Sequence, residues 1–117
     1  MIVRRARWGL AAAALVLGCG HLAIAAFASA QGRWGMDTLW FTSGGLAIVT
    51  PALLNMVALR ARAHDWLARL ITLLVSAATA GFFGLALTLL PQPQVLVGLV
   101  LFAALAAGAL LPEARSG

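Results

Sequence analysis

His21, Asn55 and a row of three hydroxyls, Thr72, Ser76 and Thr79, are the side chains in this sequence best placed to do chemistry. Each lies inside a long apolar stretch, where polar groups are rare and by default functional. His21 is the only acidic or basic side chain deep in any such stretch. An imidazole there can carry a proton, hold a ligand or bond a neighbouring helix. A metal site would need three or four ligands, and a bis-histidine haem a second histidine at the same depth. His64 lies in a polar gap, so no metal or other cofactor is expected. Thr72, Ser76 and Thr79 stand at i, i+4 and i+7 and share one helical face. Such a row is either a stripe facing other helices or the wall of a polar pathway. Asn55 suits an interhelical hydrogen bond, worth about 0.6 kcal/mol on average inside a membrane. Trp40, Thr42 and Ser43 complete the candidate polar interior or ligand site. There is no Ser/His/Asp set, no carboxylate pair and no phosphate loop with a following lysine. No catalytic residue is therefore assigned, and the chain reads as a non-enzyme.

Four apolar stretches hold these residues, at about 8–30, 38–59, 66–90 and 95–111. A membrane-crossing helix needs roughly 20 mostly apolar residues, and all four are near that length. Hydrophobic residues make up 63% of the chain and charged ones 9%, against about 45–50% and about 25% in soluble domains. The composition leaves no room for a soluble domain. The fold expected is a four-helix transmembrane bundle, one integral membrane domain over residues 1–117.

The net charge of +5 comes from arginine alone. In a soluble chain such basicity would suggest nucleic acid; here the arginines flank the spans, and no nucleic acid partner is expected. Arg4, Arg5 and Arg7 precede span one. Arg60, Arg62 and Arg69 surround the turn between spans two and three. Arg115 follows span four, and Arg33 alone lies on the other side. Seven against one places both termini in the cytoplasm, which fits the inner membrane of a bacterium. Trp8, Trp34, Trp40 and Trp66 fall near span ends, where indole favours the interface. Arg33, Trp34 and Asp37 share the first outer loop. Arg33 and Asp37 either pair at the surface or, with Trp40, rim an outward-facing pocket.

Span one resembles a targeting signal at its basic start, and Ala28-Ser29-Ala30 a signal-peptidase site. Val16-Leu17-Gly18-Cys19 is a loose lipobox. The apolar run exceeds the usual 7–15 residues of a signal, and the chain stays apolar after Cys19, so a retained helix is expected. Cys19 has no disulfide partner and reads as a small packing residue.

Small residues at four-residue spacing let membrane helices approach closely. Ala14/Gly18, Ala77/Gly81 and Ala104/Gly108 fit, with the three glycines as the stronger markers. Asp37 is a plausible N-cap for span two. Pro51 falls in mid-span and predicts a kink. Gly44, Ile48, Pro51 and Asn55 share a face expected to point into the bundle. His21 is expected to face inward too, near Thr42–Gly45, because it lies about 13 Å from the outer end of span one and span two reaches that depth near Gly44–Ala47.

Gly20-His21-Leu22, Thr38-Leu39-Trp40-Phe41, Gly44-Gly45 and Leu54-Asn55 together resemble a group of four-span bacterial membrane proteins. The likeness covers the first half of the chain. It implies four helices, and that group has no assigned activity to carry over. The function expected is that of a small non-catalytic accessory or interaction subunit. Its partners are the lipid bilayer and a second copy or larger membrane complex. The alternative is a small oligomeric transporter or ligand-binding protein using His21 and the polar face of span two.

Overall fold

A computed structural model describes residues 2–61 and 65–111. Arg62, His64 and Arg115, used above, lie outside the described residues. Four helices follow one another: α1 (Ile2–Ala30), α2 (Met36–Arg60), α3 (Trp66–Leu89) and α4 (Pro93–Leu110). All four are long and apolar enough to cross a membrane. At 18 residues, α4 is the shortest, about 27 Å at 1.5 Å per residue. The helix α1 begins well before Trp8, so Arg4, Arg5 and Arg7 are helical residues.

Local chemistry sets the ends. Gly32 adopts φ +74, the left-handed turn that ends a helix without strain. Arg33 N then donates to Ala28 O at 3.0 Å. Asp37 is not the cap of α2. The N-cap is Gly35, and Asp37 lies in the first turn. Asp65 caps α3, its carboxylate accepting from Ala68 N at 3.0 Å. Pro93 starts α4 at a position where a missing N–H costs nothing. The helix α2 runs unbroken through Pro51.

Two antiparallel hairpins, α1–α2 and α3–α4, form the bundle, with fewer contacts between hairpins than within them. Within each hairpin a glycine marks the closest approach. A Cβ on Gly18 would stand 2.6 Å from Val49 Cγ2 and 3.0 Å from Val49 N. One on Gly98 would stand 2.5 Å from the Phe83 ring. Gly108 of α4 receives the aliphatic stem of Arg7. Gly81 makes no such contact, and Ala77 and Gly81 are both exposed. The expected Ala77/Gly81 packing pair is thus on the outside, because α3 turns Thr72, Ser76 and Phe83 inward instead. Cys19 is likewise exposed and packs against nothing in the core.

A single cluster joins Ala11 and Ala14, Ile48 and Ala52, Phe83, and Val95, Phe102 and Leu105. Phe83 and Phe102 stack with centroids 6.1 Å apart. Polar Asn55, Thr72 and Ser76 have no exposure, while Leu85 is 72% exposed. A soluble bundle would reverse that order; an apolar exterior around a partly polar interior is the pattern of a membrane protein.

Two arginines close the basic end. Arg4 of α1 donates to Leu59 O near the end of α2 at 2.9 Å. Arg69 of α3 donates to Ala109 O at 2.7 Å, Leu110 O at 2.8 Å and Leu111 O at 3.1 Å. Each satisfies carbonyls that the last turn of a helix leaves open, with the charge at the favourable end of the dipole.

Candidate functional site

The polar interior lies where α2 meets α3. Asn55 is on the buried stripe Ile48, Pro51, Ala52, Asn55 and Leu59 of α2. Its Nδ2 donates to Pro51 O at 2.9 Å and to Ser76 Oγ at 2.9 Å. The second bond ties one hairpin to the other. Its Oδ1 is buried and meets no donor among the described residues. Thr72, one turn from Ser76, is fully buried and donates to Ala68 O at 2.7 Å. Thr79 donates to Val75 O at 2.8 Å. Two of the three hydroxyls are thus spent on their own helix, and the third accepts from Asn55. Those bonds use the two hydroxyl hydrogens within α3 and leave their acceptor lone pairs.

The stripe on α2 differs from expectation by one residue at its upper end. Gly45, not Gly44, is the packed glycine. A Cβ on Gly45 would come within 2.9 Å of Leu22, and one on Gly44 would meet nothing. Leu22, the sequence neighbour of His21, is the side chain packed on Gly45. The His21 ring instead stacks on Phe41 of α2, with centroids 4.6 Å apart and planes 18° apart. Its Nδ1 lies 2.9 Å from Leu17 O. The carbonyl can only accept, so Nδ1 is the donor, and Nε2 is left without a partner among the described residues. The ring is half-buried, at the edge of the bundle and well away from Asn55 along the helix axis.

The other candidates scatter. Thr42 is half-buried and donates to Thr38 O at 2.8 Å. Ser43 is exposed and donates to Leu39 O at 2.9 Å. Trp40 is exposed on the outside of α2. The structure therefore brings Asn55, Thr72 and Ser76 together, leaves Thr79 at their margin, and holds His21, Thr42, Ser43 and Trp40 apart from them. Sequence reasoning missed Phe41 and Leu22 as the partners of His21 and Gly45; both are a single residue from the predicted contact, a distance that helical periodicity alone does not resolve. It also missed the pairing of Gly98 with Phe83, whose signal was a lone glycine in an apolar run.

Asn55 and Ser76 respond oppositely to substitution. Ser76→Ala removes the interhairpin bond and should destabilise by about 0.6 kcal/mol, with about 1.7 kcal/mol as the upper end for such bonds. Asn55→Leu loses the same bond but also removes a buried acceptor without a donor, a liability of about 1–3 kcal/mol. The leucine variant should therefore match or exceed the wild type in a detergent unfolding titration. A loss of more than about 2 kcal/mol there would mean that Oδ1 already has a donor.

Among the described residues, no group of three or more His, Cys, Asp or Glu is placed to hold a metal ion. Comparison of the chain with protein-family models, with curated proteins and with solved structures found no match.

Proposed function

We propose that this chain is a small non-catalytic integral membrane protein of accessory type, working through contacts of its helix faces with a membrane partner. The observation that carries this reading is the use of the interior polar groups. Thr72 and Thr79 donate within their own helix, and Asn55 donates to Ser76 across the hairpins, so these donors are engaged inside the bundle. The whole chain forms one membrane domain in the inner membrane of a bacterium, with both termini cytoplasmic. The seven-to-one division of arginines supports that orientation. Reporter fusions at Gly117 and within residues 31–37 should read cytoplasmic and periplasmic respectively; a periplasmic Gly117 reverses the proposed topology.

A second reading, an oligomeric transporter or ligand-binding protein, is favoured by the buried Asn55 Oδ1 and by the His21 Nε2 that the Nδ1 bond leaves open. Purification in mild detergent with mass measurement separates the two. A stoichiometric protein partner supports the accessory role. A homo-oligomer carrying a small molecule supports the second reading, and a monomer with neither overturns the first.

A further inference from the structure

We propose that the chain pairs with a second copy of itself through the outer face of α2, with Thr50 beside the twofold axis. Leu39, Ser43, Leu46, Thr50, Leu53 and Val57 follow one another in alternating steps of four and three residues, and all are exposed. Such steps keep one seam in line along two helices wound on each other. The inward face of α2, with Ile48, Pro51, Ala52 and Asn55, is a different one, so pairing leaves the bundle as it is. An apolar seam alone would only face lipid. Two polar groups in the middle of this one ask for more.

The first is the Thr50 hydroxyl. Ser29, Thr42, Ser43, Thr72, Thr79 and Thr88 each donate within their own helix. Thr38 donates to Arg33 O, and Ser76 accepts from Asn55. Thr50 is the one hydroxyl without a hydrogen bond among the described residues. The second group is the Ala47 carbonyl. Its regular donor would be the N–H of residue 51, and Pro51 has none. Ala47 is exposed as well, and no side chain among the described residues donates to it.

Both groups lie far from water. Along α2, Thr50 is about 15 Å from Arg60 and about 21 Å from Met36. It therefore stands near the middle of a hydrocarbon layer about 30 Å thick. Acyl chains offer neither donor nor acceptor, and polar groups left unpaired there are costly. Headgroups stay at the surface.

The two groups answer each other, one a donor and the other an acceptor, within one turn of one helix. Copies inserted the same way meet about an axis along the membrane normal, which sets α2 parallel to α2 at equal depth. Helical side chains lean toward the N-terminus, which brings the Thr50 hydroxyl toward the level of Ala47. The hydroxyl of each copy then donates to Ala47 O of the other, giving two bonds from one contact. A patch holding both halves of the bond is self-complementary, as an isologous interface requires. Ser43, one heptad away, is small enough to keep the helices close.

This inference rests on the chain spanning a membrane and on neither functional reading, since a pair is compatible with both. The test uses the full chain, with Cys19→Ala, in vesicles of phosphatidylethanolamine and phosphatidylglycerol. Dyes at the C-terminus report pairing by energy transfer as the protein is diluted into lipid. Thr50→Val keeps the shape and loses the hydroxyl. It should weaken pairing about sevenfold, the effect of two bonds of average strength between membrane helices. Thr50→Ser keeps the hydroxyl and should stay within about twofold of the parent. Unchanged helicity shows that each variant folds. In a second arm, Leu46→Cys and Leu53→Cys should form disulfide-linked dimers under iodine. Val16→Cys, Leu74→Cys and Val100→Cys, also exposed but on α1, α3 and α4, should not. A chain that is monomeric at every dilution overturns the proposal. So do cross-links that favour another helix, and so does Thr50→Val pairing as tightly as the parent. If the purified chain is monomeric and Leu46→Cys links to a different protein in cells, the pairing fails while the accessory reading stands.

Discussion

Gly18→Leu is expected to break the α1–α2 hairpin. A Cβ at this position would already sit 3.0 Å from the backbone nitrogen of Val49. Backbone cannot rotate aside as a side-chain tip can, so the helices must separate. Separation would also pull Leu22 away from Gly45, the reciprocal contact one turn along. Overpacking a tight site costs about 1–3 kcal/mol, and losing the neighbouring contact places this variant at the upper end. In membrane helices close van der Waals contact is the main attraction, so there is little else to hold the pair. A detergent unfolding titration should show a loss of about 3 kcal/mol. Gly44→Leu, one face away and meeting nothing, should change stability by less than about 0.5 kcal/mol. Equal effects from the two would mean that the helices cross elsewhere.

Arg69→Ala comes next in size. One guanidinium serves three carbonyls at the end of α4. Bonds to a charged donor are worth about 1.5–3 kcal/mol each when shielded. Two of these three are exposed, and water can replace them, so a total of about 1–2 kcal/mol is expected. Hydrogen exchange would localise the effect. The amides of the last turn of α4 should exchange faster in Arg69→Ala, while those of α1 stay as they were. Arg69→Lys should recover only part, since an ammonium cannot spread its donors across three acceptors in one plane. Uniform acceleration across all four helices would assign Arg69 to the whole fold instead of to one hairpin.

The helices were legible because length and hydropathy are properties of single segments. Their four bodies and the inward turn of Asn55, Ile48 and Pro51 follow from composition and period alone. What was not legible depends on rotation about each helix axis. Gly44 and Gly45 differ by one residue, or 100° of turn, and only contact with Leu22 decides between them. The same uncertainty put the expected neighbours of His21 at Thr42–Gly45, one residue beyond Phe41, the ring that it meets. Ala77/Gly81 failed for another reason. Small residues mark a possible close approach but not which helix arrives, and Ser76 and Phe83 take α3 to its neighbours by a different face. Asp37 looked like a cap because capping preferences describe residue types, yet α2 starts at Met36 with Gly35 as its cap, two residues earlier than a cap at Asp37 would place it.

The arginine caps also bear on how the chain is made. The bond from Arg4 to Leu59 needs nothing beyond the second helix, and the bonds from Arg69 to residues 109–111 need nothing before the third. Each hairpin therefore carries its own clasp, fastened when its returning helix reaches the side from which it set out. A ribosome that has released only the first sixty residues has already supplied everything the first clasp requires, and the second half can be threaded against a finished template.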